Sequence, residues 1–348
     1  MRIALIGPGI LPIPPSGWGA VETVIWNLKT NLSVLGHQVL IVNTTNRKEA
    51  KKKLTEFGPQ LIWLHYDDYV HWLSDYDRRA TFWLTSHFAY IEQYSKPWFQ
   101  LAQLMPTLGS TPSQLWKSAC LSLRPASHRL YAMASYFRIL AKTVAIGRTI
   151  SLSLVCLSPQ IQKALRPLDL ATKVLPNAAE DDQIHYDRGA GNGRALCLGK
   201  IEPRKRQAEL LHIDQLDYVG PIKDKRFPVD NPRYKGIWGR EEVRNKLTTY
   251  SALVLLSDGE AHALVICEAL LAGLSLIVSN HAAGNLQPEW PVAKILATEE
   301  YTNPQLVKQA VDEMLERAKH QRQQAREIGL KFFSMQKQQQ NLKRLIEV

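Results

Sequence analysis

Residues 250–280 read YSALVLLSDGEAHALVICEALLAGLSLIVSN, and this stretch decides the fold. YSALVLLS (250–257) and LSLIVSN (274–280) are continuous apolar runs, the pattern of strands buried on both faces of a sheet. Between them Ala263–Ala272 has the length of a short helix, and Gly273 is placed to cap its C-terminus. Two apolar strands joined through a helix make a parallel βαβ unit. Glu260 falls in the turn after the first strand, and Glu268 follows eight residues later in the helix. Carboxylates rarely sit in such small, apolar company unless they are paired or hydrogen-bonded. The loop offers backbone N–H groups to an anion at the helix N-terminus, and Glu268 can accept hydrogen bonds from the vicinal hydroxyls of a sugar. Its bland alternative is a solvent-facing helical carboxylate.

The same rhythm extends in both directions. RIALI (2–6) reads as a strand, followed by a Gly/Pro loop and a helix from Val21, where Val24, Ile25, Leu28 and Leu32 recur at helical spacing. Gly36 ends that helix, and HQVLIVN (37–43), PQLIWLH (59–65), ATFWLTSH (80–87) and LSLVCLS (152–158) supply further strands. A second series starts near residue 172 with TKVLPNA, RALCLGK (194–200) and LDYVGPI (216–222). Strands alternating with helices predict two doubly wound α/β domains, 1–168 and 169–330, with a boundary where RPLDLATK breaks the periodicity. Asn303–Pro304 starts a long helix running to about Arg326, and an amphipathic helix (331–348) closes the chain.

Composition agrees with two cores. The 348 residues are 45% hydrophobic and 22% charged, and no uncharged apolar run reaches membrane-spanning length. The N-terminal apolar run is cut by Gly7, Pro8 and Gly9 before a signal-peptide core can form. Four scattered cysteines include no CxxC, and Cys156, Cys197 and Cys267 lie in apolar runs, so buried reduced thiols and a cytoplasmic location are expected; Cys120 is the fourth. A net charge of +11 calls for an anionic partner. Lys117, Arg124, Arg129, Arg138, Lys142 and Arg148 lie in a segment without one acidic residue. That segment reads either as a solvated helical face or as a basic, apolar surface for peripheral contact with a membrane.

Two more strand-to-helix loops carry candidate chemistry. In GPGILPIPPSGWGAVE (7–22), Gly17 and Gly19 precede a helix N-terminus, where an anion is favoured. The spacing is not GxGxxG, which argues against a dinucleotide fingerprint. In GKIEPRKR (199–206), Lys200 and Lys205 can converge on a diphosphate with Arg204 and Arg206 nearby; a basic surface turn is the alternative.

Taken together, these motifs resemble the retaining nucleotide-sugar enzymes of glycosyltransferase family 4, which have the GT-B fold. The family's Glu-x7-Glu element corresponds to Glu260-AHALVIC-Glu268, its glycine loop to PPSGWGAVE and its phosphate loop to GKIEPRKR. VLPNAAED (174–181) and TSHF (85–88) match two further family elements. The resemblance implies two Rossmann-like doubly wound domains facing a central cleft, with a C-terminal helix crossing back to the first. It implies transfer of a hexose from a nucleotide diphosphate sugar to a glycan, lipid-linked or small-molecule hydroxyl, with retained anomeric configuration. No metal and no cofactor are expected. By the same carry-over Glu268 binds the ribose, Glu260 lies against the donor sugar, Lys200 and Lys205 neutralise the leaving diphosphate, and Gly17 and Gly19 admit it close to the backbone. His262, Ala263 and Leu264 complete the donor loop, and His87 lines the reaction centre together with Glu260 and Lys205.

Three departures stand out. Lys200 replaces an arginine, Arg204 replaces an acidic residue, and EAHA replaces EGFG. A metal-dependent transferase needs Asp-x-Asp at a strand end; DYD (75–77) sits in a polar run, and YDD (66–68) falls on the acceptor half. A nucleic-acid module is the rival for the positive charge, but no fold signature interleaves aromatics with it, so no nucleic-acid partner is expected. An epimerase or another GT-B enzyme is the remaining alternative.

Overall fold

The computed structural model describes residues 1–94, 96–104 and 128–347. Lys117, Cys120 and Arg124 lie outside the described residues. Two compact units are present: Met1–Pro14, Val21–Leu175 and the residues from Leu345 form the first, and Pro15–Ala20 with Pro176–Arg344 the second.

The first unit is built on strands β1 (Arg2–Gly7), β2 (Gln38–Asn43), β3 (Leu61–Leu64), β4 (Thr81–Leu84), β5 (Leu152–Cys156) and β6 (Ala171–Val174). They pair in the order β2-β1-β3-β4-β5-β6, every pair parallel. Its helices are α1 (Ala20–Val34), α2 (Arg47–Phe57), α3 (Lys96–Leu104), α4 (His128–Gly147) and α5 (Pro159–Leu165). α1 buries Val24, Ile25, Leu28 and Leu32, the stripe that its spacing predicts. α2 is closed at both ends: Asn46 accepts from the Lys48 and Glu49 amides, and Gly58 turns left-handed at φ 58°.

The second unit carries β7 (Ala195–Leu198), β8 (Leu216–Val219), β9 (Ala252–Leu255), β10 (Ser275–Ser279) and β11 (Ala293–Leu296). Their order is β11-β10-β9-β7-β8, again parallel. The helices are α6 (Arg240–Lys246), α7 (Leu264–Leu271), α8 (Thr298–Tyr301), α9 (Pro304–Phe333) and α10 (Met335–Ile346). Alternate strand residues enter two separate cores. Leu196, Leu253 and Leu276 face α7, while Cys197, Val254 and Ile277 face Val307, Val311 and Met314 of α9. A fully buried leucine or valine contributes about 1.5–3 kcal/mol, so this doubly covered sheet supplies much of the unit's stability.

The structure corrects several expectations. The strand read from TKVLPNA does not open the second domain. Its register, from Ser153↔Ala171 to Cys156↔Val174, makes it the sixth strand of the first sheet, and the division falls after Leu175 rather than at 168. β11 was not expected. α9 continues past Arg326 to Phe333, where Ser334 turns extended and breaks it from α10. The closing segment therefore starts at Met335 rather than 331, and it belongs to the second unit as far as Arg344. Strand order reverses between β1 and β3 in the first sheet and between β7 and β9 in the second, the places where open α/β sheets bind ligands.

In the first glycine loop the steric demand lies at Gly7 and Gly9. A Cβ on Gly9, at φ 71°, would lie 2.5 Å from the Thr44 carbonyl carbon, and one on Gly7 2.8 Å from Asn43 Oδ1. Asn43 ties the loop down, accepting from the Gly9 amide at 2.7 Å and donating to the Leu11 carbonyl at 2.8 Å. Gly17 faces open space. Gly9→Ala should therefore cost at least about 1–3 kcal/mol of unfolding free energy in urea titrations. Gly17→Ala should stay within about 0.5 kcal/mol of the parent. Equal losses at the two positions would contradict this placement of the strain.

Candidate active site

Because β7 pairs with β9, the loops leaving their C-terminal ends are neighbours. The first loop passes through Gly199 at φ 134°, and a Cβ on Gly220 would lie 2.2 Å from the Gly199 carbonyl oxygen, so two backbones meet here at a distance only glycine permits. The loops are joined by the Asp258 amide, which donates to the Arg204 carbonyl at 2.8 Å. The Arg204 side chain completes the junction. Nη1 bonds Glu260 Oε1 at 3.0 Å and the Gly259 carbonyl, and Nη2 bonds Glu202 Oε1 at 2.8 Å. Lys205 Nζ stands 3.6 Å from the same Glu260 Oε1, and the Ser257 hydroxyl donates to it at 2.9 Å. Among the described residues, the hydrogen bonds to this carboxylate from Arg204 and Ser257 both fall on Oε1, and none falls on Oε2. Burial works to raise the pKa of Glu260, but Lys205, Arg204 and the Ser257 hydroxyl outweigh it and hold the group below its ordinary value.

Glu268 repeats the arrangement eight residues on. It is buried, and its Oε1 accepts from Arg240 Nη1 at 2.6 Å while Oε2 accepts no hydrogen bond among the described residues. Arg240 also bonds Glu180 through Nη2 at 3.2 Å, and Glu180 is held in turn by Arg244. Burial disfavours charge on Arg240, and the two carboxylates more than restore it. Breaking such a buried pair by removing one partner typically costs about 3–5 kcal/mol. Neither Arg204 nor Arg240 was assigned a role from the sequence.

Between the glutamates, α7 starts at Leu264 with Ala263 as a cap that has no capping side chain. Among the described residues, the backbone N–H groups of 261–264 have no acceptor within the protein. A run of free amides at a helix N-terminus binds anions. The amides of Ala263 and Leu264 therefore suit the role expected of them. Lys200, meanwhile, lies with Nζ 5.3 Å from the centroid of Trp18, which Gly17 and Gly19 flank.

The ring of His262 is committed elsewhere. It is buried, and Nδ1 accepts from the Asn177 amide at 2.9 Å while Asn177 Nδ2 donates to the His262 carbonyl at 2.9 Å. With Nδ1 accepting, the neutral ring carries its proton on Nε2, which lies 3.8 Å from Cys267 Sγ. The ring also packs on Phe333. His262 is thus a latch between the 174–181 segment and the loop that follows β9.

In the first unit, His87 follows β4, and its Nε2 lies 3.4 Å from Nδ1 of buried His65. Burial pulls the pKa of His87 down to about 4, so it is neutral at pH 7. Asp67, of the YDD sequence, accepts from the Tyr136 hydroxyl at 2.8 Å and is pushed up to about 6 by burial. Asp75 and Asp77, the DYD pair, are bonded by Arg47 and Arg79 respectively. Cys156, Cys197 and Cys267 are buried free thiols. No helix among the described residues is long and apolar enough to cross a membrane.

Two doubly wound parallel sheets with helices on their faces define the GT-B fold, and this chain has it. Among solved structures it is similar over 99% of its length to sucrose-phosphate synthase from Thermosynechococcus elongatus, at TM-score 0.71 and 14% identity, with 98% of that chain covered. Anabaena Alr3699/HepE in complex with UDP-glucose aligns over 100% of both chains at TM-score 0.67 and 13% identity. WaaG, a glycosyltransferase involved in lipopolysaccharide biosynthesis, aligns over 94% of this chain and 99% of its own at TM-score 0.57 and 13% identity. No protein-family model and no curated protein matches the sequence.

The His262 latch gives a pH dependence. Burial, opposed in part by Glu260, lowers the ring's pKa from 6.5 to about 4. The unfolded chain therefore takes up a proton that the folded one refuses, and stability complete above pH 6.5 is lost as the pH falls towards 4. The loss amounts to about 3 kcal/mol from this ring. His262→Asn keeps an acceptor for the Asn177 amide but does not titrate, so urea unfolding at pH 4.5 and 7.5 should show a flatter acid limb than the parent. His262→Ala should lose about 1–3 kcal/mol at pH 7.5. An unchanged acid limb in His262→Asn would remove the latch from consideration.

Proposed function

We propose that this chain is a glycosyltransferase that moves a hexose from a nucleotide diphosphate sugar to an acceptor hydroxyl with retention of anomeric configuration. The carrying observation is the convergence at the β7/β9 reversal: a basic loop, helix N-terminal amides without an internal acceptor among the described residues, and two paired glutamates, Glu260 largely covered and Glu268 buried, whose second oxygens accept no hydrogen bond among those residues. Lys200, Lys205 and the 261–264 amides would meet the negative charge that develops on the departing diphosphate. Glu260 stays ionised and would accept a hydrogen bond from the transferred sugar through Oε2. Glu268 would take the ribose. His87, neutral at pH 7, would line the reaction centre as a hydrogen-bonding group rather than a proton carrier. In the reaction the acceptor oxygen bonds the anomeric carbon as the bond to the diphosphate breaks. The leaving phosphate oxygen takes the acceptor's proton on the same face. The Alr3699/HepE structures hold UDP-glucose or UDP, which supports UDP-glucose as the first donor to test.

A thermal-shift panel of UDP-, GDP- and ADP-sugars should single out one nucleotide, and Glu268→Gln should abolish most of its shift. Product NMR should show the donor's anomeric configuration, and turnover should survive EDTA because the lysines and amides carry the phosphate charge. A panel with no stabilisation of the native protein would remove the donor-site assignment, and an inverted product would remove retention.

A lipid-linked or membrane-surface acceptor is supported by α4, which carries Arg129, Arg138 and Lys142, is followed directly by Arg148, and exposes Leu130. Flotation with anionic vesicles should recover more protein than flotation with neutral ones, and the difference should shrink in salt. Equal recovery from both would exclude this surface as a membrane contact.

A further inference from the structure

We propose that Arg240 makes Glu268 the reader of a single hydroxyl, so that the site tells apart the two vicinal hydroxyls of the ribose; this rests on the nucleotide reading above. A carboxylate with both oxygens open takes one hydroxyl of a vicinal diol on each. Here Oε1 already accepts from Arg240 Nη1 at 2.6 Å, whereas Oε2 accepts no hydrogen bond among the described residues, so the two oxygens are not equivalent towards a diol.

The arrangement is built to persist when a ligand arrives. Arg240 is fixed from a second side by Glu180, itself buried and held by Arg244. Freeing Oε1 would require moving a guanidinium that two buried carboxylates neutralise, and would leave one of them uncompensated. Arg240 also stands at the first position of α6, where the helix dipole disfavours a cation. That helix start already has its favourable charges in Glu241 and Glu242, and Glu242 accepts from the Gly239 amide at 3.0 Å. Arg240 is therefore held there by its carboxylate contacts and not by the needs of the helix. One ribose hydroxyl donates to the open Oε2 of Glu268, and the other meets an Oε1 whose acceptor capacity is shared with Arg240. Arg240 thus acts as a specificity-determining residue in nucleotide binding.

The test is isothermal titration of the full-length protein with UDP, 2′-deoxy-UDP and 3′-deoxy-UDP, or with the GDP or ADP series if the donor panel selects that base. One deoxy analogue should bind about tenfold or more weaker than the parent nucleotide, and the other within about threefold. In Arg240→Met, Oε1 is released and both analogues should weaken about tenfold against the parent nucleotide. Arg240→Lys, which keeps a cation beside the carboxylate, should preserve the asymmetry. Equal losses for the two analogues in the native protein overturn the proposal while leaving the nucleotide reading in place. The native measurement decides this even if Arg240→Met does not fold. Absence of binding by every nucleotide overturns that reading and this inference with it.

Discussion

Glu268 is buried in the second unit and Glu260 is largely covered, and each is stable there because a partly covered guanidinium is paired with it. Arg204 reaches Glu260 from 56 residues away in sequence, and Arg240 reaches Glu268 from 28. An isolated ionised carboxylate in such surroundings would cost several kcal/mol and would protonate instead. The pairs therefore impose a condition on the fold. The loops after β7 and β9 must be adjacent, and α6 must stand over α7's glutamate. The sheet order β9-β7 meets the first requirement, and the Glu180–Arg244 pair supports the second. The same groups that stabilise the loops are the ones assigned to recognition under the proposed function, since each carboxylate keeps an oxygen that accepts no hydrogen bond among the described residues.

The strand pattern was legible where burial is complete. β1, β3, β9 and β10 are apolar on both faces, so their sequences admit few other readings. β6 and β11 mark the limit of that signal. Both are short, mostly half-exposed edge strands, one reading ATKV and the other AKIL. Periodicity in such a segment identifies neither a strand with certainty nor the sheet that accepts it. Partnership with β5 is a long-range property, set by the pairing of Ser153 with Ala171 and the residues after them.

The site was legible in its backbone-determined parts and opaque in its side-chain partners. Glu260, Glu268 and Lys205 occupy fixed offsets from strand ends, so sequence spacing places them. Arg204 and Arg240 are recognised only once the sheet closes, because a long guanidinium can reach any of several carboxylates. Some signal was available for Arg240: an arginine directly ahead of two glutamates at the start of α6 runs against the helix dipole and invites the question of what it pairs with. For His262 the spacing gave no sign of a partner. It occupies a position that the resemblance assigns to an aromatic, yet its ring finds Asn177, 85 residues away.

The alanines on either side of that histidine follow from the same latch. Glycine is needed where φ is positive, and among the described residues only Asp169 and Arg206 are non-glycine residues in that region. Ala261 and Ala263 therefore sit in ordinary backbone conformations and cost no strain. An alanine that fits its native conformation stabilises a loop by about 0.4–1 kcal/mol relative to glycine, because the unfolded chain has less freedom to lose. The loop is further pinned by the Glu260 amide on the His281 carbonyl and by both hydrogen bonds to Asn177. EAHA thus gives a pre-set loop in which, among the described residues, the 261–264 amides have no internal acceptor. Less ordering would remain to be done if an anion bound there, so the substitutions that depart most from the resemblance act on the loop through rigidity rather than through contact.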